Sequence, residues 1–141
     1  MEVRNRFQKW IEEFSSEEFI SLKARAEKGC AQSQCDLGVC YDFGRGVLQN
    51  TVEAVKWFRK AAEQGHLDAQ FNLGCAYEQG IGVPKDEVEA YAYYNLVGAQ
   101  APDVREDITN LEKRLSRGEI AAGQRRTKEL QEEIEASKAI D

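Results

Sequence analysis

One short passage occurs twice in this chain. "LGVCYDFGRGV" begins at Leu37 and "LGCAYEQGIGV" at Leu73, thirty-six residues further on. The same offset pairs Gly29 with Gly65, Gln34 with Gln70, Gly38 with Gly74 and Tyr41 with Tyr77. It carries on through Gly44, Gly46 and Val47 against Gly80, Gly82 and Val83, then Val52, Glu53 and Ala54 against Val88, Glu89 and Ala90. Aromatic Trp57 and Phe58 fall on Tyr93 and Tyr94. A period of this length means stacked units, each too small to bury its apolar face without a neighbour. At 141 residues, one such architecture has to account for nearly the whole chain.

Inside a unit the spacing is helical. Gln34, Leu37, Gly38 and Tyr41 recur at three and four residues and form one stripe. Ala54, Trp57, Phe58 and Ala61 form a second stripe after the loop, matched by Ala90, Tyr93, Tyr94 and Val97. Glycine in the middle of a helix costs roughly 1 kcal/mol against alanine. Its recurrence at Gly38 and Gly74 predicts two helices too close for a side chain. In "YDFGRGV" and "YEQGIGV" the first glycine stands where a helix ends and positive φ is needed, and the second turns the chain back. Asn50 with Glu53, and Asp86 with Glu89, have the spacing of an N-cap and its reciprocal carboxylate. These glycines read first as turn residues and only weakly as a phosphate loop, because no strand precedes them and no Lys-Ser or Lys-Thr follows. The pattern calls for no cofactor.

With these residues assembled, the chain resembles the Sel-one-like repeat family, relatives of tetratricopeptide repeats. "AQSQCDLGVCYDFGRGVLQNTVEAVKWFRKAAEQG" carries that family's pattern nearly complete. The second unit departs late, with Tyr93 for the tryptophan and Val97 and Gly98 for the paired alanines. The resemblance implies an all-α fold, a right-handed α-α superhelix of two repeats with helical caps. It also implies a non-enzymatic adaptor that holds a protein or peptide on its concave side. The expected organisation is N-terminal capping helices over 1–28, repeats over 29–64 and 65–101, and C-terminal capping helices over 102–141. "VRNRFQKWIEEF" offers Val3, Phe7, Trp10, Ile11 and Phe14 to cover the first unit. Downstream, Val104, Ile108, Leu111 and Leu115 share a helix stripe, and Ser116 with Glu119 spells a capping box. Ile120, Thr127, Leu130 and Ile134 lie on one side of the last helix, which either caps the core or pairs with another copy.

First helices line the concave face in related units, so their non-framework positions are the candidate partner site: Gln32, Cys35, Val39, Asp42, Phe43, Asp68, Phe71, Asn72, Cys75 and Glu78. The mixture is acidic and apolar. It suits a peptide or protein with basic and apolar residues, with Phe43 and Phe71 as anchors. Ordinary core packing is the competing reading for both rings. The net charge of −6 argues against nucleic acid or an anionic membrane as a general partner. The charged start and the lack of about eighteen consecutive apolar residues lead to the expectation of a soluble cytoplasmic chain, monomeric or weakly dimeric.

Two other functions compete. Some cysteine-rich relatives in the family are linked with β-lactamase-like hydrolysis, but here no Ser-x-x-Lys and no Lys-Thr-Gly occurs. A cysteine nucleophile would need a base, and His66, expected as a capping or solvated residue, is the sole histidine. A structural, self-associating module is the other alternative. Cys30, Cys35, Cys40 and Cys75 read as reduced, packed thiols. Five-residue steps turn successive thiols about 140° apart on a helix, which disfavours a zinc site. Cys35 and Cys75 map to neighbouring helices and are the one pair placed to approach under oxidation.

Overall fold

Every element of the repeat is a helix that cannot bury its stripe alone, and the computed structural model stacks them in chain order. It describes residues 9, 14 and 16–139. The helices are α1 (Ser16–Glu27), α2 (Ala31–Phe43), α3 (Thr51–Glu63), α4 (Leu67–Gln79), α5 (Glu87–Gly98), α6 (Arg105–Arg114) and α7 (Arg117–Ala139). A 3-10 turn, Pro102–Val104, leads into α6. Helices α2 and α3 form the first hairpin and α4 and α5 the second, each packed on the element before it. Among the described residues there is no strand.

The mid-helix glycines are explained by sterics. A Cβ on Gly38 would lie 2.6 Å from two ring carbons of Phe58, and one on Gly74 2.6 Å from Tyr94. Each hairpin packs ring against bare backbone. The loop glycines do what positive φ requires, with Gly44 and Gly80 closing α2 and α4 at φ 72° and 68°. The next amides, Arg45 and Ile81, donate back to the carbonyls of Cys40 and Ala76 at 2.8 and 3.0 Å.

The N-caps form as the spacing predicts, with one correction. Asn50 and Asp86 accept from the amides of Glu53 and Glu89 at 3.1 and 3.0 Å. The reciprocal half is absent, because the cap residues' own amides donate to the carbonyls of Tyr41 and Tyr77, closing each loop onto its first helix. The freed carboxylates pair elsewhere, Glu53 with Lys56 and Glu89 with Arg126. Only the box at Ser116 and Glu119 is complete, at 3.0 and 3.1 Å.

Framework glutamines join successive units. The Nε2 of buried Gln34 donates to the Ala26 carbonyl at 3.0 Å, and its Oε1 accepts from Gln64 at 2.8 Å. Gln70 repeats the first bond, onto Ala62. The apolar core runs along the stack in three parts. Leu22, Ala26, Leu37, Cys40 and Trp57 form the first, with Phe14 packed on it. Phe58, Leu73, Tyr93 and Leu130 belong to the second, and Tyr91, Tyr94 and Leu111 to the third. Val3, Phe7, Trp10 and Ile11 lie outside the described residues.

The last helix covers the core. Gly123 of α7 sits against the Tyr91 ring, where a Cβ would collide. Thr127 donates to the carbonyl of Gly123 at 2.8 Å and lies 3.3 Å from that of Ala92, and Leu130 is buried against the central cluster. Helix α6 is fixed by Arg114, which reaches Glu78 of α4 and Glu87 of α5, each at 2.8 Å.

Candidate functional site

Stacking two hairpins leaves a groove between their first helices, α2 and α4, floored by α3. It encloses a cavity of about 150 Å3. Five of the ten residues expected from sequence line it: Val39, Asp42 and Phe43 from α2, and Asn72 and Cys75 from α4. Ala54, Val55 and Phe58 form the floor. The rim is apolar and exposed, with Phe43 at 47% and Ile81 at 44%. Asp42 lines the same groove, and partial burial pushes its carboxyl above the ordinary range.

The other five residues are placed differently. Cys35 is 3% exposed and packs in the central core, which pushes its thiol up to about 12. Gln32 is on the surface, donating to Asp36 at 3.0 Å and lying 3.0 Å from the ring Nε2 of His66. Asp68 is exposed in the first turn of α4. Phe71 packs on Tyr94 with ring centroids 5.6 Å apart, so it takes the core role weighed against binding. Glu78 accepts from the Tyr94 hydroxyl at 2.8 Å and pairs with Arg114. It braces α6 and is no free acid on a rim.

Ala76, Gln79 and Ile81 complete the groove. Ile81 stands between the two loop glycines, where the pattern reads only as turn grammar. Its signal was the unpaired apolar side chain at the position held by Arg45 in the first unit.

The site offers no activated nucleophile. Burial raises the thiols of Cys75 and Cys40, the latter to about 11. His66 is the N-cap of α4, its Nδ1 accepting from the Ala69 amide at 3.3 Å, which leaves Nε2–H to donate to Gln32. The four thiols do not converge, since Cys30 is exposed while Cys35 and Cys40 belong to different core clusters. Among the described residues no three His, Cys, Asp or Glu side chains are grouped to hold a metal ion. None of the described helices is long and apolar enough to cross a membrane.

Comparison with known proteins agrees with this fold. The family model for the Sel1 repeat matches residues 31–66 and 67–97. A crystal structure of a protective antigen present in uropathogenic Escherichia coli strains, which displays an SLR fold, is 29% identical with a TM-score of 0.80. The match covers 84% of this chain and 26% of that one. A Sel1 repeat protein from Oxalobacter formigenes is 39% identical with a TM-score of 0.59, covering 60% of this chain and 64% of that one. The chain thus spans about a quarter of the first structure's length and just under two thirds of the second's. No curated protein matches it. The SLR fold is generally a protein-interaction module without catalytic activity. Residues 31–66 and 67–97 of this chain are thus two Sel1 repeats, in a fold shared with the SLR and Sel1 repeat structures.

Proposed function

We propose that this protein is a non-enzymatic adaptor that holds a protein or peptide segment along the groove between α2 and α4, read as the concave side of the array. The observation that carries the reading is that Asp42 lines one groove with Phe43 and Ile81, both of them exposed. A partially desolvated carboxylate gains from a cation delivered beside it, and two exposed apolar side chains gain from being covered. The partner's matching feature is a Lys or Arg next to a large apolar residue.

The test is selection from a display library of random peptides against the intact chain. Enriched sequences should place a basic residue beside Leu, Phe or Ile and weaken with salt. They should be lost with Asp42→Asn combined with Phe43→Ala, and kept with Asp68→Asn, which lies outside the groove. Enrichment of acidic peptides, or binding untouched by the double substitution, overturns the reading.

A further inference from the structure

The second unit's departure from the repeat pattern at Tyr93 has a chemical consequence on the opposite side of the helices. Where the first unit has Trp57, the second has a phenol, and that phenol lines a cavity of about 210 Å3 between α3, α5 and α7. Tyr93 is 4% exposed, and its hydroxyl makes no hydrogen bond to any described residue. Its ring is stacked on Tyr77, centroids 6.0 Å apart and planes 8° from parallel, so the hydroxyl has little freedom to turn elsewhere. Burial pushes its pKa up to about 12, which keeps the phenol a neutral donor.

Arg59 lies in the same wall. It donates to the Tyr77 hydroxyl at 2.5 Å and lies over that ring, and the Glu63 charge acts on it without a direct carboxylate hydrogen bond among the described residues. A guanidinium carries five donors in a planar fork, so most of its donors are uncommitted. Arg126, also in the wall, is taken up by Glu89 at 3.1 Å and by Glu129 and Glu133 at 3.3 Å. Ala62, Leu130 and Ile134 form the apolar part of the wall, and Glu63, Glu133 and Ser137 complete it.

We propose that this cavity binds a small monocarboxylate, its head on the Arg59 fork and the Tyr93 hydroxyl and its short apolar tail against Ala62, Leu130 and Ile134. Charge selects the class. Glu63 and Glu133 also line the cavity, and they repel a dianion such as phosphate more strongly than a single carboxylate. The volume admits a ligand of a few carbons. The same chemistry is offered by a free acid or by a protein's terminal carboxylate following an apolar residue.

Titration calorimetry and amide NMR on the intact chain test this, with isovalerate as probe and inorganic phosphate as counter-probe. Isovalerate should saturate in about the millimolar range, with phosphate much weaker. Tyr93→Phe keeps ring and stacking and should weaken isovalerate about tenfold, as loss of a hydrogen bond to a charged group does. Arg59→Gln should weaken it at least as much. Tyr93→Phe decides alone if the arginine variant fails to fold. A peptide ending in a leucine carboxylate distinguishes the sources, because tighter binding than isovalerate assigns the site to a protein tail and weaker binding to a free acid. No saturation by either probe up to about 50 mM, phosphate matching isovalerate, or affinity unchanged in both variants overturns the proposal.

Discussion

Replacing Gly38 by alanine sets two known effects against each other. Helix propensity alone favours alanine by roughly 1 kcal/mol at a mid-helix position. Against this, the new methyl would stand 2.6 Å from Cδ1 and Cε1 of Phe58 and 3.1 Å from Cζ. Phe58 is buried in the central cluster, so the ring cannot step aside without disturbing Leu73 and Ala54. Overpacking of this kind costs about 1–3 kcal/mol, which leaves Gly38→Ala destabilised by roughly 1 kcal/mol after the propensity gain. Gly118, in the first turn of α7, is the control, since an added Cβ there meets nothing nearer than the Ser116 hydroxyl at 3.9 Å. Gly118→Ala should be neutral to stabilising, by up to about 1 kcal/mol. Urea unfolding followed by circular dichroism measures both, and a 1 kcal/mol change corresponds to roughly 3–4 °C in a melt of a chain this size. A midpoint for Gly38→Ala as high as that for Gly118→Ala would refute close approach as the reason for the repeated glycine.

Thiol chemistry gives a second test. Cys30 is exposed, and the Ser33 hydroxyl and amide hold its thiol below the ordinary value, whereas burial raises Cys35 to about 12 and Cys40 to about 11. Brief iodoacetamide treatment of the native chain should label Cys30 first, partly buried Cys75 more slowly, and Cys35 and Cys40 only on unfolding. Equal labelling at all four by peptide mass analysis would contradict the packing. A third test uses Asp42, whose folded carboxyl is raised by burial. A raised pKa means the folded state binds the proton more tightly, so this contribution to stability is fully present below the unfolded pKa and lost as pH rises through the folded one. Asp42→Asn should therefore raise the urea midpoint at neutral pH, and the gain should vanish as pH falls below about 4. A constant gain across pH would assign the effect to packing instead.

What the sequence made legible, and what it hid, follows from where a contact lies relative to the repeat. Gly38 and Gly74, the left-handed glycines and the N-caps were readable because each has a copy thirty-six residues away, and a copy in register separates a requirement from chance. Local rules suffice there, since a helix cap or a turn involves residues three to five apart. Even so, the reciprocal carboxylates failed, because the amides they would have met were taken by Tyr41 and Tyr77, a contact across the loop and not along the helix. The site was half legible for the same reason. Val39, Asp42, Phe43, Asn72 and Cys75 share the groove because helical spacing alone puts them on one side. Glu78 was lost from it to Arg114, and Phe71 was covered beside Tyr94, through contacts made by helices that follow the last unit. Those helices have no internal copy, so nothing in the period announces where they land. The Tyr93 cavity belongs to this second kind: the substitution for tryptophan was visible in the sequence, but its use depends on α7 crossing back to bring Leu130 and Ile134 over Arg59. In an array of two units, the elements that terminate the repeat therefore decide which of its exposed positions stay available for binding.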